Sequence, residues 1–222
     1  MKATPPARDA SPHRFVRTGS HHLAWFPALL LFLTIVELIA AVAVPGVAQF
    51  DGKGWSVRLV AYPVLMLLAP ALWWATRGHE AARRPPYVAF GLVMLPFLSD
   101  TTANWLDLFR RVAWWDDLSH FAHWFVLCAG LGLLIAPQVR PRWMIVPLIG
   151  GLGAMLALAW ELGEYWLFIR AGKEAGGAYR DTLGDEILGT CGALLAGVVV
   201  AWWTTTTTRT MQRQGRKPTV SG

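Results

Sequence analysis

Six runs of 17 to 27 mostly apolar residues divide this chain: Leu23–Val44, Leu59–Ala75, Tyr87–Leu106, Leu118–Ala136, Trp143–Ile169 and Ile187–Trp203. A helix rises 1.5 Å per residue, so about 20 such residues match a hydrocarbon core about 30 Å thick. The expected fold is therefore all-α, a polytopic bundle of about six transmembrane helices. The third run is the weakest, because Asp100 and Asn104 interrupt its end. Pro27, Pro63, Pro70, Pro96 and Pro147 fall within runs and predict kinks, tolerable where neighbouring groups reoccupy the freed carbonyls. The chain divides into a polar tail (1–22), a transmembrane domain (23–203) and a second polar tail (204–222) carrying a five-threonine tract. No linker and no clear internal repeat interrupts the middle region.

Composition supports the membrane reading. Of the 222 residues 55% are hydrophobic and 15% charged, whereas a soluble domain carries about a quarter charged residues. Thirteen tryptophans suit the bilayer–water boundary, which indole favours. Cys128 and Cys191 lie inside apolar runs and form no CxxC pair or disulfide framework. The net charge of +6 does not indicate nucleic acid, since basic residues flank the apolar runs and form no stripe. A basic lead, an apolar run and AVAVPGVA imitate a cleavable signal peptide. Glu37 and the 22-residue polar lead favour an uncleaved first helix.

With six spans both termini share one side. That side, with loops 76–86 and 137–142, holds 13 Lys/Arg against seven opposite, so the positive-inside rule places both termini in the cytoplasm. Twelve of the 14 acids fall on the outer side or in the outer halves of helices.

Orientation gathers the polar groups. Asp100, Asn104 and Asp107 recur at i, i+4, i+7, as do Asp116, His120 and His123 within WWDDLSHFAHW, and each set occupies one helix face. Asp117 lies beside the second set. Glu161 and Glu164 in WELGEYW, and Asp181 and Asp185 before the sixth run, reach a similar depth. Glu37 lies about 20 Å along the first helix at 1.5 Å per residue. Acids at helix ends also suit solvent or a helix N-terminus. Groups farther in, such as Glu37, Glu161 and His123, are expensive in hydrocarbon and indicate a functional or hydrogen-bonded cluster. Gly189, Ala193 and Gly197 recur every four residues, a face suited to close helix packing.

At WWDDLSHFAHW, WELGEYW and DTLGDEILGTCGALLAG the chain resembles the YjdF-like bacterial inner-membrane proteins, over roughly Glu37 to Gly197. More distantly it resembles the VanZ-like proteins, whose namesake is associated with teicoplanin resistance. Their Asp, Lys and later His pattern matches at Asp116 and His120, with Asp117 in place of the Lys. Their Glu-x-x-Gln corresponds to Glu161 and Glu164, an acid replacing the amide. Their Arg, Asp, Asn, Gly series aligns with Arg180, Asp185, Gly189 and Gly192, without the Asn. The resemblance implies a bacterial plasma-membrane location and assigns no chemistry.

Two familiar catalytic signatures fail. HEAAR at His79–Arg83 lacks the second His of HExxH, and GWSVR at Gly54–Arg58 lacks the last Gly of a nucleophile elbow. Two readings stay open. The first is metal-assisted hydrolysis or transfer on a lipid or lipid-linked cell-envelope intermediate. Here His120, His123, Asp116 and Asp185 are candidate ligands for a divalent ion such as zinc. Asp116, His120, Glu161, Glu164 and Asp185 are the candidate catalytic groups, Glu164 being a possible general base. Glu37, Asp100, Asn104, Asp117 and Asp181 would line the same pocket. The second reading is a non-catalytic lipid-binding or scaffold protein, or, ranked lower, a proton-coupled transporter. The sequence leaves enzyme or non-enzyme, and the oligomeric state, undecided; membrane lipids are the expected partners.

Overall fold

The computed structural model describes residues 23–44, 46–50, 52–77, 84–166 and 178–214. Those residues form seven α-helices and no strand: α1 (Trp25–Ala43), α2 (Trp55–Arg77), α3 (Tyr87–Trp105), α4 (Leu108–Arg111), α5 (Trp115–Ile135), α6 (Ile145–Glu164) and α7 (Ala178–Gln214). The tail 1–22, the whole HEAAR motif and the last residues of the fifth apolar run lie outside the described residues.

Five helices are long and apolar enough to cross a membrane: Trp25–Ala43, Trp55–Arg77, Trp115–Gln138, Arg142–Glu164 and Tyr179–Thr207. The expected count was six. The run that falls short is α3, where Ser99, Asp100, Thr101, Thr102 and Asn104 make the C-terminal third polar. That polarity is tolerated because α3 packs on α1, α2 and α5, and Thr101 and Asn104 are buried in protein. The most lipid-like surface lies elsewhere. Phe32, Val36 and Ile39 on α1 and Val60, Val64 and Leu72 on α2 are exposed, a patch that water would penalise and hydrocarbon would not.

Local sequence explains several helix features. Pro27 sits in the first turn of α1, where its missing N–H had no intrahelical partner. Thr34 donates its hydroxyl to the Leu30 carbonyl at 2.8 Å, satisfying a polar group inside an apolar helix. Asp116 and Asp117 occupy the first turn of α5, where the helix dipole favours negative charge. α7 is longer than the run Ile187–Trp203 and continues through the threonine tract. Thr204 and Thr205 donate to the carbonyls of Val200 and Ala201 at 2.8 and 2.7 Å. Bonds four residues back let a polar β-branched tract remain helical.

Two apolar cores result. One joins α1, α2 and α3 through Leu38, Tyr62, Met66 and Met94. The other joins α5, α6 and α7 through Cys128, Ile149, Ala157 and Ala193. Leu127 and Trp160 pack against both, and α3 lies against α5 between the halves. Small residues set the second half's spacing. A Cβ on Gly192 would lie 2.3 Å from the Phe121 carbonyl oxygen of α5. One on Gly153 of α6 would lie 2.2 Å from the Ala193 Cβ, and one on Gly197 would lie 2.9 Å from Val146 Cα. Ala193 and Gly197 therefore meet α6, while Gly189 meets Trp124 of α5. α7 is the wedge between its two neighbours.

Candidate functional site

At one end of the bundle the start of α2, the end of α3, the start of α5, the end of α6 and the start of α7 converge. They surround a cavity of about 380 Å³, within the size range of small-molecule sites. Arg58, Asp100, Asp116, His120, Glu161, Glu164 and Asp185 all contribute to its wall. Exposed tryptophans mark the bundle's far end, with Trp25, Trp74, Trp143 and Trp202 there. On α7 the 17 residues from Asp185 to Trp202 span about 26 Å. The cavity thus sits about one hydrocarbon thickness from the opposite aromatic belt.

His120 is the hub of the wall built by α5, α6 and α7. Its Nε2 lies 3.8 Å from Asp116 Oδ1 and 3.7 Å from Asp185 Oδ2, and its Nδ1 lies 3.8 Å from Glu161 Oε1. These separations exceed hydrogen-bond length. One ligand atom from each of Asp116, His120 and Asp185 falls within 4.8 Å of the others. A tetrahedral zinc with bonds of about 2.1 Å places its ligand atoms about 3.4 Å apart, so closing the set requires shifts of about 1 Å or less. The two nitrogens divide their roles well, Nε2 toward the carboxylate pair and Nδ1 toward Glu161. A carboxylate on the far nitrogen of a ligating histidine fixes its tautomer and orientation. Glu161 and Asp185 are buried, whereas the Asp116 side chain is 44% exposed. That leaves an open side to the set.

The opposite wall is a hydrogen-bonded network. Arg58 donates to Asp100 Oδ2 at 2.5 Å and to the Tyr62 hydroxyl at 2.6 Å, and Tyr62 donates to the same Asp100 oxygen at 2.7 Å. Arg58 Nη2 is 4.0 Å from Glu164 Oε1. Asn104 donates to the Asp100 carbonyl at 2.8 Å and accepts from Lys53. Burial, then the neighbouring Arg58 charge, lowers the Lys53 pKa. Asp107, turned to the left-handed region (φ 59°) at the start of α4, is held below the usual carboxylate range by the hydrogen bond from Arg110.

The structure places three expected site residues apart from the set around His120. His123 lines the cavity, but its Nε2 lies 2.9 Å from Ser99 Oγ and it stands outside the three-residue set. Three residues beyond His120 is 300° around a helix, which rotates it toward α3. Glu37 accepts from Thr101 at 2.6 Å and from Thr102 at 2.9 Å and lies outside the cavity wall. Asp117 is exposed and also outside the wall, one residue and therefore about 100° from Asp116. Asp181 stands on the exposed rim. Arg58, Tyr62 and Lys53 are site residues that the sequence reading missed. Arg58 and Tyr62 are spaced i, i+4 at the acid-rich end of an apolar helix, and that was the available signal.

The fold and site define a class: a membrane helix bundle with an acidic, histidine-containing cavity at one end. A family model described as "Predicted membrane protein (DUF2238)" matches residues 28–206, and the chain belongs to that family. No curated protein and no solved structure matches it.

Proposed function

We propose that this chain is a six-span bacterial inner-membrane protein that binds a divalent cation through Asp116, His120 and Asp185. With that cation it hydrolyses or transfers a group on a lipid or lipid-linked cell-envelope substrate at the outer leaflet. The observation carrying this reading is the three-residue set around His120 Nε2, with Glu161 behind Nδ1. A cation there would polarise a substrate oxygen or activate water. Glu164 lines the same cavity and is the proton acceptor in this reading.

The sixth span is α3. It runs beside α1 from Gly91, close to Phe26, to Thr102, bonded to Glu37. The 11 residues from Phe26 to Glu37 cover about 17 Å of depth, so α3 accompanies α1 over more than half of a hydrocarbon core about 30 Å thick. Six spans put both termini on the side holding 13 Lys/Arg, which the positive-inside rule makes cytoplasmic. The resemblance to YjdF-like and VanZ-like membrane proteins accords with this location.

A second reading is a non-catalytic lipid-binding or scaffold protein. The Arg58–Tyr62–Asp100 network favours it, since those groups already satisfy one another. Metal analysis of purified protein separates the two. About one zinc-group ion per chain, lost in His120→Ala without loss of folded yield, supports the first. A metal-free protein that stays metal-free after zinc loading supports the second.

A further inference from the structure

The cavity carries a feature that a cation site does not require. Lys53 reaches its wall from the segment before α2, half-buried, with its ammonium on the Asn104 amide oxygen and 5.2 Å from the centre of the Phe109 ring. Among the described residues no carboxylate lies within ion-pair distance of it, although acids surround the same cavity. Neutral partners hold this ammonium directly, while Asp100 and Asp107 act on it only from beyond ion-pair distance, and partial burial makes an incompletely compensated charge costly. An anionic group from a ligand would complete it.

Below that rim the cavity changes character. From Asn104 to Pro96 along α3 is about 12 Å at 1.5 Å per residue, and over that depth the wall becomes Pro96, Phe97, Trp124, Leu127 and Trp160. A polar mouth above an apolar floor fits an amphiphile better than a free ion. The cavity also has a seam where α2 faces α6. α2 packs on α1 and α3, and α6 on α5 and α7, without extensive packing of α2 on α6. Those two meet where Arg58 lies 4.0 Å from Glu164 and where the Tyr62 and Trp160 rings lie 6.1 Å apart.

We propose that the cavity takes a phosphate-bearing amphiphile from the bilayer, its phosphate on Lys53 and its chain over the apolar floor between α2 and α6. This rests on the Proposed function for what happens to the phosphate, and names the substrate class for the same site. Held there, the phosphate faces the Asp116–His120–Asp185 wall across one cavity. Arg58, engaged with Asp100, frames the seam.

The test is calorimetric titration of purified full-length protein in uncharged detergent and EDTA, so that its outcome is independent of the metal. Dioctanoyl phosphatidic acid, dioctanoylglycerol and inorganic phosphate are the three probes. Phosphatidic acid should bind at least tenfold more tightly than either of the others. Lys53→Gln should weaken it about tenfold, and Lys53→Arg should restore most of the loss. Equal binding of dioctanoylglycerol overturns the phosphate subsite, and equal binding of inorganic phosphate overturns the amphiphile. Unchanged affinity in Lys53→Gln overturns the role of Lys53. Metal content of a separate portion of each preparation, loaded with zinc and washed without EDTA, reports on the other reading. Phosphatidic acid binding by a protein that never takes up metal sinks the cation and leaves this proposal standing, and the converse result sinks this proposal alone.

Discussion

Replacing Gly192 by alanine adds one methyl group, and the structure shows what it strikes. The new Cβ would lie 2.3 Å from the carbonyl oxygen of Phe121 and 3.0 Å from the Phe125 nitrogen, both backbone atoms of α5. Carbon–oxygen contacts settle near 3.3 Å or beyond, so α5 and α7 must separate by about 1 Å. Overpacking of this kind costs about 1–3 kcal/mol, and two rigid helices argue for the upper end. Alanine returns up to about 1 kcal/mol of helix propensity, leaving a net loss of about 2 kcal/mol. For a chain of this length that lowers the melting temperature by about 4–8 °C. Gly151→Ala in α6 is the control, since a Cβ there meets nothing within 4 Å and should leave Tm level or raise it by up to about 4 °C. The assay is intrinsic-fluorescence melting of both variants in one detergent. The separation would also open the 3.7 Å approach of His120 to Asp185, so Gly192→Ala should take up less zinc. Equal melting of the two variants would refute the packing argument.

Arg58→Ala leaves Asp100 and Glu164 without their cation and should cost about 3–5 kcal/mol, while Arg58→Met with Asp100→Leu should recover much of that. Denaturation of the single and double variants checks this, and additive losses would count against a coupled pair. Asp107 has a lowered folded pKa, so its contribution is present above its unfolded value and disappears as pH falls through the folded one. Asp107→Asn should therefore flatten the fall in Tm between pH 5 and pH 3, with a parallel curve as the opposing result. Reporter fusions after Arg140 and after Lys217 should both report the cytoplasm, and an external signal from either would reverse the orientation.

The helices were legible because apolar length is a local property, read residue by residue. α3 shows where that signal weakens, because a helix covered by protein no longer needs lipid-compatible side chains. The same reasoning hid the last turns of α7, whose threonines bond to their own helix. For the site, depth and face brought Asp116, His120, Glu161 and Asp185 to one wall, since helices of opposite direction put matching ends together. What spacing alone did not resolve was rotation between neighbours. Glu37 has the right depth and turns to Thr101. His123 is one turn from His120 and turns to Ser99. Arg58 stands just before the apolar run Leu59–Ala75, and its place opposite Asp100 depends on how α2 meets α3.

Cobalt(II) titration, read at the ligand-field absorption bands, tests the central claim most directly. The wild-type protein should saturate at about one cobalt per chain with bands characteristic of a histidine and carboxylate oxygens. His120→Ala and Asp185→Asn should lose the bands, whereas His123→Ala, whose ring is bonded to Ser99, should keep them. A wild-type protein without such bands, or a His123→Ala variant that loses them as fully as His120→Ala, would contradict the assignment of Asp116, His120 and Asp185 as the cation site.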